Sequence, residues 1–291
     1  MRFSGKDIQQ KSVALCLPLA RASRLSPPLF LVASLLLLFV LSACSSNEKD
    51  TYVARDVETL YNLGYMSLEK KRWKMAAGAF DEVERQHPYS VWARQSQLMG
   101  AYALYMDDEY DSAILAAERF LSLHPGNSHA AYAHYLIGIS YYEQISDVYR
   151  DQRITEQAAQ ALTEVVRRYP ESEYARDATL KLDLVYDQLA AKDMDVGRFY
   201  LNQEQYLAAM GRFQHVLDAY GTTSHVPEAL HRMVECFTAL GVTSEAQKYA
   251  AVLGHNAPNS QWYKRSYAMV TGEDPNVPTE NRSFFARIFG N

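Results

Sequence analysis

Glycine and proline are scarce in this chain, 13 and 10 among 291 residues. Neither shows the period of a collagen or the density of a disordered linker. Cysteine is scarcer: only Cys16, Cys44 and Cys236 occur, which excludes a disulfide framework. Cys236 lies in a helical pattern, where a free cysteine reads as a small apolar core residue. A basic excess is also missing. The net charge is −5 and no stripe of Lys and Arg appears, so nucleic acid is not an expected partner. The chain has no phosphate-binding glycine loop, no Gly-x-Ser-x-Gly elbow, no His-Glu-x-x-His and no Cys-x-x-Cys. His129 and His134 are five apart, off the four-residue spacing of a helical zinc pair. The expectation is a protein that is not an enzyme and uses no metal or cofactor.

Long apolar runs are absent with one exception. Leu29–Leu41 is almost wholly apolar and follows Arg2, Lys6, Lys11, Arg21 and Arg24. It is short for a spanning helix and ends in small residues, the pattern of a cleavable export signal over residues 1–43. The run closes in Leu41-Ser42-Ala43-Cys44, which looks like a bacterial lipobox. A diacylglycerol on the Cys44 thiol and an acyl chain on its freed amine would hold the chain on a membrane, since each buried CH₂ contributes about 0.8 kcal/mol. Ser45, rather than Asp, follows the cysteine. That favours lipid anchoring in the inner leaflet of the outer membrane, with residues 44–54 as lipidated cysteine and tether.

What the chain does have is helical periodicity and self-similarity. Gly64 and Ala76 are twelve apart, Phe80 comes four later and Pro88 eight beyond it, as in a tetratricopeptide repeat. The small residues let two helices approach, and the proline stops the second. The frame returns with Ala101, Ala113, Phe120 and Pro125; with Gly138, Ala158, Val165 and Pro170; with Gly197, Ala209, Phe213 and Gly221; and with Met233, Ala246, Leu253 and Pro258. The expected fold is all-α, an α-solenoid of about five tetratricopeptide (TPR) repeats. Their bounds fall near 55–88, 90–125, 128–170, 172–221 and 224–258, with a final helix at 259–270. Ser90, Ser128, Ser172 and Ser260 follow the stops and suit helix N-caps. Residues 173–202 hold no proline, which predicts a long helix overhanging the stack by several turns.

Three surfaces are candidates for binding. In this fold the first helix of each repeat lines the concave groove, placing Tyr61, Tyr65 and Leu68, then Leu98, Tyr102 and Tyr105, then Tyr135, Ile139 and Tyr142 toward it. Six of these nine are tyrosine, a ring that offers apolar contact and a hydroxyl at low entropic cost. The same spacing also fits tyrosines that only pack between neighbouring helices. The third repeat carries an insertion with Asp147, Arg150, Asp151 and Gln152, either a partner contact or a loop tied down by a local salt bridge. The tail, residues 271–291, begins with a stretch broken by Pro275 and Pro278 and ends in Ser283–Phe289. There Phe284, Phe285, Ile288 and Phe289 share one helical face, suited to docking on a partner or a lipid interface, or else to packing on the chain's own solenoid.

Several strings are more specific than the repeat frame. His87-Pro-Tyr-Ser-Val-Trp-Ala93, Tyr141 through Gln152, Gly197-Arg-Phe-Tyr-Leu201 and Val252 through Tyr263 resemble the BamD family, especially its alphaproteobacterial form. The resemblance spans about Tyr52 to Val270 and the lipobox. It implies a non-enzymatic, outer-membrane-anchored subunit of the β-barrel assembly (BAM) machinery, facing the periplasm. Its implied partners are the BamA periplasmic domain, other BAM lipoproteins and unfolded outer membrane proteins. The competing reading is another TPR lipoprotein, such as a secretin or pilus pilotin or a cell-wall coordinator.

Overall fold

A computed structural model describes residues 54–273. Cys44, its leader and the aromatic segment Phe284–Phe289 lie outside the described residues. Eleven helices occur among those described, and no strand. They follow as α1 Val57–Glu69, α2 Trp73–Gln86, α3 Val91–Met106, α4 Tyr110–Leu123, α5 Ala130–Glu143 and α6 Arg153–Arg168. Then come α7 Glu173–Asn202, α8 Tyr206–Ala219, α9 Val226–Ala239, α10 Thr243–Asn256 and α11 Gln261–Thr271. Each helix packs on its sequence neighbours, so the fold is an α-solenoid of five TPR-type helix pairs and a closing helix.

The pairs close through complementary volumes at two positions. Gly64 on α1 lies against the Phe80 ring, and Gly197 on α7 lies against Phe213. Gly138 on α5 faces Leu162 in the same way. Where the first helix carries a larger residue, the second carries a smaller one. Ala101 shares a core cluster with Ala117, and Val234 shares one with Ala250. The bulky side chain is thus supplied by the second helix in pairs one, three and four and by the first helix in pair five. The fifth frame therefore runs through Val234, twelve before Ala246, one residue beyond the expected Met233; both are buried.

Within pairs one, two, four and five, the turn between helices uses one left-handed residue: Lys71, Asp108, Glu204 and Gly241. In the third pair the insertion from Gln144 to Gln152 replaces that turn. Between pairs, Ser90, Ser172 and Ser260 accept hydrogen bonds from the N–H groups of Ala93, Ala175 and Tyr263 at 3.0–3.1 Å. These N-caps satisfy helix donors that water would otherwise have to reach. Ser128 does not do so. The α5 N-terminus is organised instead by Asn127, whose Oδ1 accepts from His129 N–H at 2.8 Å.

The 30-residue α7 does not overhang the stack. Its buried face runs from Ala175 to Gly197. Ala178, Leu182, Val185 and Leu189 join Leu162 and Val165 of α6 in one cluster, while Ala190 and Met194 join Phe213 and Met233 in the next. One helix thus serves two consecutive pairs, and its length is what the extra packing partners require.

Candidate functional site

Among the described residues, a concave feature that includes the candidates Leu98 and Tyr102 lies where α3, α4, α5 and α7 converge. It is a cleft of about 530 Å³ with Leu98, Met99 and Phe120 among its apolar lining and the rings of Tyr102, Tyr132 and Tyr174 on its walls. Arg94, Gln95, Asn127 and His129 supply polar groups to the same cleft. Helical spacing explains the convergence. Leu98 and Tyr102 are four apart on α3, so they share one face, and Tyr132 enters from the first turn of α5.

The tyrosines form a contact series along the first helices. Tyr174 lies 5.4 Å from Tyr132 and 5.3 Å from Tyr135, centroid to centroid. The Tyr135 hydroxyl donates to Asp177 on α7, and Lys181, one turn on, sits over the Tyr142 ring at 5.0 Å. The Tyr105 hydroxyl reaches Glu143 at 3.5 Å. Burial, reinforced by the Glu143 charge, pushes the Tyr105 phenol up to about 12. Burial also raises the phenols of Tyr132 and Tyr135 well above their ordinary value. All three stay protonated across the physiological range; Tyr105 and Tyr135 give their O–H to Glu143 and Asp177.

Not every candidate tyrosine faces open space. Tyr61 is 8% exposed and is held between Phe80 and Trp92, 5.6 and 4.6 Å away, so its ring is used in packing the first pair. Leu68 packs against the same cluster, and Ile139 is buried. Tyr65 is the most open of the set, at 48%.

The insertion in pair three is a built loop. Gln152 is buried, and its Nε2 lies within hydrogen-bond range of the carbonyls of Asp147, Val148 and Arg150 at 3.1–3.3 Å. Its Oε1 accepts from the Thr155 hydroxyl at 2.8 Å. Gln188 of α7 donates to the Ser146 carbonyl at 3.0 Å. Gln152 is therefore the internal staple of the loop, while Asp147, Tyr149, Arg150 and Asp151 are presented outward. The ion pair near the loop joins Asp151 to Arg153 at 4.0 Å, and both side chains are so exposed that it contributes little. Beside the loop lies a second cleft of about 480 Å³ that reaches Asp193, Arg212 and His215. Asp193 accepts from Arg212 at 3.1 Å and contacts His215 Nδ1 at 2.7 Å.

Comparison with known proteins adds a decisive constraint. The profile of the YfiO family, described as outer membrane lipoprotein, matches residues 53–253. The outer membrane protein assembly factor BamD of Caulobacter vibrioides is 49% identical over 246 residues, 84% of this chain and 81% of that protein. BamD of Rickettsia prowazekii is 43% identical, covering 82% and 96%. The chain belongs to the BamD family. Its role is that of an outer membrane protein assembly factor in the BAM complex, and the pilotin and cell-wall alternatives are not favoured. Among solved structures, the TPR2AB domain of yeast Sti1 is similar at a TM-score of 0.40 and 12% identity, covering 74% of this chain and 81% of that one.

Two cleft residues of this BamD-family chain escape the spacing rule applied to the sequence. Tyr132 precedes the small residue Gly138 by six positions, and Tyr174 opens the next pair. Both enter because α7 starts beside α5, a tertiary contact that no single-helix periodicity encodes. The signal available in the sequence was tyrosine soon after two successive stops, Tyr132 and Tyr135 after Pro125 and Tyr174 after Pro170.

Proposed function

We propose that this chain is a lipid-anchored scaffold on the periplasmic face of the outer membrane, with acyl groups on Cys44 as its attachment. Its aromatic cleft receives extended segments of unfolded outer membrane proteins. Its carboxy-terminal pairs and the Tyr149–Asp151 loop contact the BamA periplasmic domain and other BAM lipoproteins. No catalytic step and no cofactor beyond the covalent lipid enter this reading.

The observation that carries it is the cleft between α3, α5 and α7. Rigid rings that keep a donor hydroxyl suit an extended chain whose side chains alternate apolar and polar, as barrel strands do. Such a surface tolerates many sequences, because each ring accepts apolar area of varied shape while the hydroxyl finds a backbone partner.

The test is site-directed photo-crosslinking with a photoreactive amino acid at Tyr102 or Tyr132, using an unfolded outer membrane protein as partner. Crosslinks at these positions, and none at the exposed Leu115 of α4, are the expected result. Equal crosslinking at all three would contradict the cleft. Separately, Cys44→Ala is expected to abolish incorporation of labelled palmitate and fractionation with the outer membrane. Normal labelling of that variant would remove the lipid anchor from the account.

A further inference from the structure

Four of the turns between helix pairs share one backbone plan: a proline stop, then a short link into the next helix. Only the first exposes apolar side chains. In the one and three positions after the proline, the later turns carry Gly126 and Ser128, Glu171 and Glu173, and Asn259 and Gln261. The first carries Tyr89 and Val91, which are 102% and 72% exposed. The repeat frame does not require apolar residues there, and the solenoid does not bury them. Val91 stands at the rim of the aromatic cleft, and Tyr89 lies outside it.

This turn is held rigidly. Ser90 N–H donates to the His87 carbonyl at 3.0 Å, and Ser90 Oγ caps α3. Trp92 is fixed on Tyr61. Tyr89 is therefore presented on a firm base, with no ring neighbour of its own among the described contacts.

The entering chain is tied to the same turn. Arg55 N–H donates to Gln86 Oε1 at 3.0 Å, and the Arg55 carbonyl meets His87 Nε2 at 2.8 Å. Arg55, eleven residues after Cys44, is thus fixed beside the turn that carries Tyr89. Even fully extended, the stretch from Cys44 to Ala54 spans at most about 35 Å. From these placements we infer that the Pro88–Trp92 turn is a lipid-contact site, with Tyr89 and Val91 entering the headgroup region of the bilayer that carries the anchor. Tyrosine and tryptophan suit that zone because each has an apolar body and a polar tip. The acyl groups on Cys44 hold the chain on the bilayer, and a short apolar contact next to the anchor adds to that hold. It would also orient the first helix pair against the membrane. This inference rests on the Cys44 anchor proposed above.

The experiment imposes the tether so that it does not depend on acylation. The mature chain, with Cys44 replaced by a histidine tag, is held on vesicles of phosphatidylethanolamine and phosphatidylglycerol doped with nickel-chelating lipid. A polarity-sensitive dye is attached at Tyr89→Cys or, as control, at Leu207→Cys, an exposed site on α8; Cys236 is buried and does not react. The expected result is a blue shift at position 89 on vesicles and none at position 207. Val91→Ser combined with Tyr89→Ser should lower untethered partitioning onto the same vesicles by about tenfold. No shift at 89, or equal shifts at both sites, would overturn the inference. So would a shift at 89 that appears only on adding an unfolded outer membrane protein without vesicles, since the turn would then belong to the substrate path. Failure of palmitate labelling at Cys44 is a separate result and concerns only the anchor.

Discussion

A Cβ on Gly64 would stand 2.6 Å from Cε1 of Phe80, inside the 3.0 Å at which real Cβ atoms essentially never meet an atom of a distant residue. Phe80 is 1% exposed, so its ring cannot swing away. Gly64→Ala should therefore destabilise the fold by up to about 2 kcal/mol. The overpacking cost of about 1–3 kcal/mol exceeds the roughly 1 kcal/mol that alanine gains in helix propensity. Gly211, midway along α8, has open space around it. There the same substitution should stabilise by about 0.5–1 kcal/mol. Urea unfolding of the two variants checks both signs.

Asp193 is the charged residue buried in the middle of α7, and Arg212 and His215 hold it from α8. Asp193→Ala should cost about 1–3 kcal/mol, the range for removing a hydrogen-bonded buried group. The cost stays within it because both partners are half-exposed and can rehydrate. The expected signature is a lower urea midpoint at unchanged slope. A changed slope would mean that the two halves of α7 no longer unfold together.

Acid should weaken the carboxy-terminal pairs. Burial raises the Glu235 carboxyl, but hydrogen bonds and charge from His231 and Arg232 outweigh this and leave it below its ordinary value. A depressed carboxylate contributes stability that is full above the unfolded value of about 4.3. That stability is lost as pH falls through the lower folded value. The melting temperature should drop below about pH 4.3, and Glu235→Gln should flatten that part of the profile. Identical acid profiles for the two proteins would contradict this role.

The solenoid was legible because its determinants are local: a small residue, a second small residue twelve later, a bulky apolar residue and a stop. Gly64, Ala76, Phe80 and Pro88 state the packing of a pair with no knowledge of the other pairs. Ser90, Ser172 and Ser260 were legible as caps for the same reason. Misreadings came where a neighbouring pair decides the outcome. Residues 173–202 read as an overhang, yet both halves of α7 find partners, from α6 on one side and α8 on the other. Gln152 read as part of a contact surface, yet three backbone carbonyls turn it inward. Tyr61 fitted the groove pattern, but Trp92 of the next pair covers it. Tyr132 and Tyr174 were missed because their meeting depends on the α5–α7 contact.

A chain that works inside the β-barrel assembly machinery should be recovered together with its other subunits. The full chain, carrying a carboxy-terminal tag, is purified from gently solubilised outer membranes, and the proteins that come with it are quantified. The account predicts BamA in near-equal amount, with its recovery reduced when Arg150 and Asp151 are exchanged while helix content is unchanged. Purification of the tagged chain without BamA, from membranes in which BamA is abundant, would contradict it.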